Sequence, residues 1–361
     1  MEKNATEQAL SLVNDSVRKL KAYHLEPEEY AVKLNQNENP HDWPAEVKER
    51  AARFLVERPW NRYPNFVPDA LKEKLARYAG VAPANVIVGN GSNEMLLVLL
   101  LSFAAKAKSA VICSPTFTVY KLLCDGMDTR TVNVSLDNNL QYDVNAIKKA
   151  VSDNPGSMLI ICSPNNPVGN TLSEDDFKSI LDIHTGVCIL DQAYVEFGGF
   201  DGIKFLPDYP NLIIARTFSK AMAAAGLRLG YMIGAAEMIA EINKIKLPYN
   251  INFFTEYTAS LILENTAIIK DTVSVIIDER DKLVNRLAAL PFENVYPSEA
   301  NFILVRTPQK QKLFDRLKKD GILIRDVSSY HLLENCLRIS VGTKDENIKL
   351  CESLDNFFTQ N

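Results

Sequence analysis

The chain has 361 residues, more than one hydrophobic core supports, so at least two compact units are expected. Hydrophobic residues at 47% and charged residues at 24% suit a globular protein. A net charge of −5 excludes the strongly basic balance that nucleic acid or an anionic membrane surface selects. No apolar run reaches the length of a bilayer crossing, and the longest, Met95 to Phe103, is too short. Met1-Glu2-Lys3-Asn4 carries no apolar signal core, so the cytoplasm is the expected compartment.

In chain order, residues 1–45 are polar and Asn-rich, with Asn35, Asn37 and Asn39 ahead of Pro40, and are expected to form an arm packing on the C-terminal unit. Residues 46–250 alternate short apolar strands with longer helical patterns. Val86-Ile87-Val88 runs into Gly89-Asn90-Gly91-Ser92 and then an apolar helix. Ala110–Cys113 ends at Ser114-Pro115, Met158–Cys162 at Ser163-Pro164-Asn165-Asn166-Pro167, Val187–Leu190 at Asp191, and Leu212–Ala215 at Arg216-Thr217. Continuous apolar strands between helices predict an α/β fold with a large, doubly wound, mostly parallel sheet. Residues 251–285 read as linking helices, one of them long. Residues 286–361 read as a smaller α+β domain with strands near 301–305 and 337–341. The six cysteines form no C-x-x-C pair and read as buried free thiols. The four histidines lack ligand spacing, so no metal site is expected.

Ligands of such sheets sit beyond the carboxyl ends of the strands, and every polar motif named above lies there. Thr217-Phe218-Ser219-Lys220, with Arg228 eight residues on, gathers an amine, two hydroxyls and a guanidinium. Lysine forms a Schiff base with an aldehyde, and Ser, Thr and Arg are phosphate donors, so the group points to pyridoxal phosphate. That cofactor needs a carboxylate beside its ring nitrogen, which Asp191 supplies, and donors at its phenolic oxygen, for which Asn166 and Tyr194 are suited. The helix start at Gly91-Ser92-Asn93 offers backbone N–H groups to a phosphate, and Phe117 offers a face to the ring. Each feature alone has an ordinary use: an exposed lysine, an N-cap, a turn, packing glycines, a core aromatic. Their convergence on one rim favours the site.

Ten segments then fall in a recognisable order: Leu34–Pro40, Arg62–Pro64, Val88–Glu94, Pro164–Gly169, Asp191–Phe197, Thr217–Lys220, Ala225–Arg228, Ser298–Phe302, Ile324–Asp326 and Leu337–Thr343. On these the chain resembles the aspartate-aminotransferase superfamily of fold-type I pyridoxal-phosphate enzymes, and within it is similar, end to end, to the histidinol-phosphate aminotransferases. The resemblance implies that Lys220 tethers the cofactor and shuttles the substrate proton. It implies that Asp191 pairs with the ring nitrogen and that Tyr194 and Asn166 bind the phenolic oxygen. Thr217 would also lie at the cofactor, and the backbone of Ser92 and Asn93, with Ser219 and Arg228, would hold the cofactor phosphate. Tyr63 would reach it from the other subunit of a homodimer, and Tyr23, Asn37, Arg325 and Arg338 would hold the substrate. Transamination between L-histidinol phosphate and 2-oxoglutarate, by ping-pong kinetics, follows as the expected activity. Two departures stand out: Gln192 replaces a frequent Glu, and Phe117 a usual Tyr. An aromatic or broad-specificity aminotransferase, a threonine-phosphate decarboxylase, and a cofactor-binding regulator without turnover remain alternatives.

Overall fold

Apolar runs too short for helices pair into one seven-stranded sheet in the computed structural model, which describes residues 5–20 and 30–360. After the two-residue strand β1 (Val32–Lys33), these strands are β2 (Val86–Gly89), β3 (Ser109–Ser114), β4 (Arg130–Ser135), β5 (Met158–Cys162), β6 (Cys188–Asp191), β7 (Leu212–Thr217) and β8 (Gly230–Gly234). Their spatial order is β2-β8-β7-β6-β5-β3-β4. Only β8 runs against its neighbours, so the other six share one carboxyl rim. Alternate residues of each strand enter opposite cores. Val111, Leu159, Ile161, Leu190 and Ile214 face one layer of helices, and Ile112, Ile160, Ile189 and Ile213 face the other. This burial on both faces is what the unbroken apolar strands require.

Two of these strands escape the apolar-run criterion. β4, Arg-Thr-Val-Asn-Val-Ser, is an edge strand whose polar residues alternate with Val132 and Val134. β8, Gly-Tyr-Met-Ile-Gly, is bounded by glycines and follows directly on the Arg228 turn. The helix Gly91–Ala107 is apolar nearly all round, because it lies across the sheet and buries Met95, Leu96, Val98, Leu99 and Leu100.

The helices Phe253–Glu264 and Thr266–Ala288 lead to the C-terminal unit. There β9 (Asn294–Val295), β10 (Phe302–Arg306), β12 (Arg325–Asp326) and β13 (Cys336–Ser340) form an antiparallel sheet in the order β12-β13-β10-β9. β11 (Ile322–Leu323) instead pairs in parallel with β1. Val32 and Leu34 thereby join the core of this unit, beside Leu283, Ile303 and Leu337. Tyr23 lies outside the described residues. Among those described, no helix is long and apolar enough to cross a membrane, and no cluster of His, Cys, Asp or Glu could hold a metal. All six cysteines are free; Cys351 is half-buried and the other five are buried.

Candidate active site

The loops beyond β2, β3, β5, β6 and β7 enclose, with residues 35–38 and the β12–β13 pair, a cavity of about 380 Å³. Ser92, Asn93, Phe117, Asn166, Asp191, Tyr194, Thr217, Ser219, Lys220 and Arg228 line it, as do Asn37, Arg325 and Arg338. Tyr63 does not. It is 76% exposed and stacks on Tyr249 with ring centroids 4.6 Å apart.

Lys220 stands in the cavity wall just past β7. Its Nζ donates to the Gln36 carbonyl at 2.8 Å and lies 5.6 Å from the Tyr194 ring centroid. Burial, then the Arg338 and Arg228 guanidiniums, push its pKa down to about 7, against the opposing pull of Glu38. A lysine in this state holds a reactive neutral amine near neutral pH.

Asp191, 3% exposed, ends β6. Its Oδ1 accepts from the Ala193 N–H at 3.0 Å and its Oδ2 from the Tyr120 hydroxyl at 2.6 Å. Burial raises its pKa and these two hydrogen bonds oppose the rise. Both donors are neutral, so the carboxylate faces the cavity as a buried anion suited to a cationic partner.

Two contacts turn polar side chains toward the same space. Asn37, buried at φ 55°, donates from Nδ2 to the Tyr194 hydroxyl at 3.0 Å, which leaves the Tyr194 proton to be donated into the cavity. Arg338 Nη1 donates to Asn166 Oδ1, and both side chains line the cavity. Asn37 is held in turn by Ser340, whose Oγ accepts from Asn37 N at 2.9 Å and donates to Asn37 Oδ1 at 3.0 Å. Asparagine tolerates the left-handed backbone this needs.

The helix Gly91–Ala107 starts at the cavity with no side-chain cap from Asn90. Its first N–H groups, including those of Ser92 and Asn93, have no intrahelical partner and favour an anion. Ser219 N donates to Thr217 Oγ1 at 3.1 Å, and Arg228 Nη1 donates to Ser219 Oγ at 3.3 Å. Two glycines make room here. A Cβ on Gly91, at φ +78°, would sit 2.6 Å from Arg228 Nη2, and one on Gly230 would sit 2.3 Å from the Ser92 nitrogen. Gly230→Ala therefore drives a methyl into backbone and is expected to tilt the helix start. The cost is about 1–3 kcal/mol, or about 5- to 150-fold in cofactor affinity where it falls on the bound form. Equilibrium binding of pyridoxal phosphate to the cofactor-free variant checks this, and unchanged affinity contradicts it.

At the opposite end, Arg325 and Arg338 are direct cross-strand partners on β12 and β13. Like charges so placed repel unless an anion lies between them. Arg338 Nη2 also donates to the Asn35 carbonyl at 2.8 Å, and its guanidinium lies 5.3 Å from the Phe302 ring centroid.

The sequence model of the family described as Aminotransferase class I and II matches residues 30–354. The chain belongs to the class I and II aminotransferase family. This aminotransferase is 37% identical over 344 residues to "Histidinol-phosphate aminotransferase" of Chlorobium phaeovibrioides, covering 95% of this chain and 96% of that protein. It is 36% identical over 345 residues to the protein of that name from Chlorobaculum tepidum, covering 95% and 99%. The crystal structure of histidinol-phosphate aminotransferase from Sinorhizobium meliloti in complex with pyridoxal-5'-phosphate shares its fold. The TM-score is 0.86 at 24% identity, over 97% of this chain and 98% of that one.

The residues of this aminotransferase fit pyridoxal phosphate. A glycine-lined helix start with Ser219 and Arg228 suits the phosphate, and a buried carboxylate with only neutral donors suits a protonated ring nitrogen. Tyr194 and Asn166 suit the phenolic oxygen, and the depressed Lys220 suits the aldehyde. Gln192 is turned away from the cavity. Its Nε2 donates to the Phe200 carbonyl at 2.6 Å and its Oε1 accepts from Gly202 N at 3.1 Å, so its amide braces a loop. Sequence reasoning missed Tyr120, Val327 and Tyr330, which also line the cavity. Tyr120 falls three residues after Phe117 on the buried side of a helix, the one signal available, and a core aromatic has the same spacing.

Proposed function

We propose that this aminotransferase transfers the amino group of L-histidinol phosphate to 2-oxoglutarate, giving imidazole acetol phosphate and L-glutamate in histidine biosynthesis. It works as a cytoplasmic homodimer in two alternating half-reactions. The observation that carries the substrate reading is the Arg325–Arg338 pair across one cavity from Lys220. Guanidinium forks accept a phosphate monoester and a carboxylate alike, so one pair serves both the donor and the acceptor. Cations at the cavity also favour doubly charged substrates over neutral side chains.

When bound, pyridoxal phosphate supplies an electron sink for the charge left at the substrate carbon after proton removal. Lys220 would tether the cofactor, and its neutral amine would be the group that takes and returns the substrate's Cα proton. Asp191 keeps the ring nitrogen protonated, and Tyr194 and Asn166 donate to the phenolic oxygen. Ser92, Asn93, Thr217, Ser219 and Arg228 bind the cofactor phosphate, joined by the partner subunit's Tyr63. Phe117 would offer its face to the ring, and Asn37 orients Tyr194 at the substrate end.

The deciding experiment sets histidinol phosphate against phenylalanine, tyrosine and aspartate as donors, each with 2-oxoglutarate, and separately assays carbon dioxide release from threonine phosphate. The expected result is a kcat/KM for histidinol phosphate about a hundredfold above the others, on the order of 3 kcal/mol of discrimination. A preference for phenylalanine or tyrosine, or carbon dioxide release, overturns the substrate. In the same assay Arg338→Gln is expected to lower kcat/KM with both histidinol phosphate and 2-oxoglutarate by about 30- to 1,000-fold, since a charge pair is lost in each. Loss with only one of the two contradicts a shared anion site.

A further inference from the structure

Tyr120 is fully buried in the helix Val119–Gly126 and belongs to the core on its face of the sheet. For packing alone a phenylalanine would serve, since burying a hydroxyl is unfavourable without a partner. Its partner is the Asp191 carboxylate, 2.6 Å away. Tyr120 Oη on Oδ2 and Ala193 N on Oδ1 hold both oxygens, which fixes the plane of the carboxylate. A carboxylate has about four acceptor positions, so room remains for a ring N–H. The same helix turn ties this anchor to the ring-facing aromatic. Tyr120 N donates to the Phe117 carbonyl at 3.3 Å, and the two rings meet edge to face with centroids 5.6 Å apart.

We propose that Tyr120 is a positioning residue: its hydroxyl holds the Asp191 carboxylate ionised and oriented toward the cofactor's ring nitrogen, from the helix turn that also places Phe117. The inference rests on the pyridoxal-phosphate reading above. A hydrogen bond to a charged acceptor is shorter and roughly twice as strong as a neutral one, and 2.6 Å fits that class. Burial works against an ionised Asp191, and the Tyr120 hydrogen bond works for it.

The test is a double-mutant cycle of Tyr120→Phe and Asp191→Asn, read as affinity of the cofactor-free protein for pyridoxal phosphate, as the pH titration of the bound cofactor's visible absorbance, and as kcat and KM. Tyr120→Phe is expected to weaken cofactor affinity and lower kcat about tenfold each with KM little changed, which is about 1.4 kcal/mol. In the Asp191→Asn background the same substitution is expected to change affinity less than about twofold, because the interaction it removes is already gone. Equal losses in both backgrounds, or no loss beside wild-type Asp191, overturn the proposal. Thermal unfolding reports whether Tyr120→Phe folds. If it does not, 3-fluorotyrosine at position 120 decides: a more acidic phenol donates more strongly, so the absorbance titration shifts, and an unchanged titration overturns the proposal. Failure of the cofactor reading itself appears separately, as wild-type protein that stays colourless with pyridoxal phosphate.

Discussion

Lys220→Ala is expected to lower steady turnover by about 10⁴-fold, the upper range for a positioned acid–base group, with pyridoxal phosphate still bound. The contacts proposed for the phosphate and the ring nitrogen do not involve Lys220, so affinity is expected to survive in part, while the proposed proton shuttle and tether would have no substitute. Steady-state assay with histidinol phosphate measures the loss, and borohydride trapping in wild type maps the adduct to residue 220. A near-normal rate, or an adduct on another lysine, contradicts the role. The same substitution has a signature without cofactor. Lys220 in the folded chain is depressed to about 7 from the ordinary 10.5. Between those values the unfolded chain binds a proton that the folded chain does not, so this residue makes stability rise with pH across the window. Below about 7 both states hold the proton and the slope vanishes. Wild type should therefore gain stability relative to Lys220→Ala between neutral pH and pH 10 in denaturant unfolding, and a constant difference refutes the depressed amine.

The rim was legible because its chemistry follows unbroken apolar runs. Met158–Cys162 and Leu212–Thr217 each stop at a polar turn, and the parallel sheet puts those turns side by side. What stayed hidden depends on register and distance. The opposition of Arg325 and Arg338 exists only once β12 and β13 pair. Asn37 and Tyr194 are 157 residues apart, and nothing local to either announces their hydrogen bond. Tyr120 is the clearest case: periodicity gives the buried side of its helix but not whether the hydroxyl meets a carboxylate. The edge strand β4 was hidden for another reason, since one neighbouring strand allows alternating polar residues that an apolar-run criterion passes over.

Asp191→Asn is expected to divide stability from activity. In the loaded enzyme the amide no longer keeps a proton on the ring nitrogen, and turnover falls about 10²–10³-fold, comparable to losing one preorganised charge-stabilising group. Cofactor affinity falls with it. In the cofactor-free protein the difference from wild type changes with pH. Burial raises the pKa of Asp191 in the folded state above the ordinary 3.8. As pH rises from that ordinary value through the raised one, the unfolded chain releases its proton first, so wild type loses stability that the asparagine variant keeps. The variant therefore gains on wild type from acid to neutral pH, less a constant offset. An amide cannot accept from both Tyr120 and Ala193, and one lost hydrogen bond costs about 1 kcal/mol at every pH. Unfolding of both cofactor-free proteins across this range, beside turnover of the loaded forms, measures the two effects independently. A substitution that relieves the folded chain while disabling the enzyme marks Asp191 as a charge kept for the cofactor rather than for the fold. A pH-independent difference would mean that Asp191 titrates alike in the folded and the unfolded chain, so that burial holds no costly charge in reserve for a cationic ring.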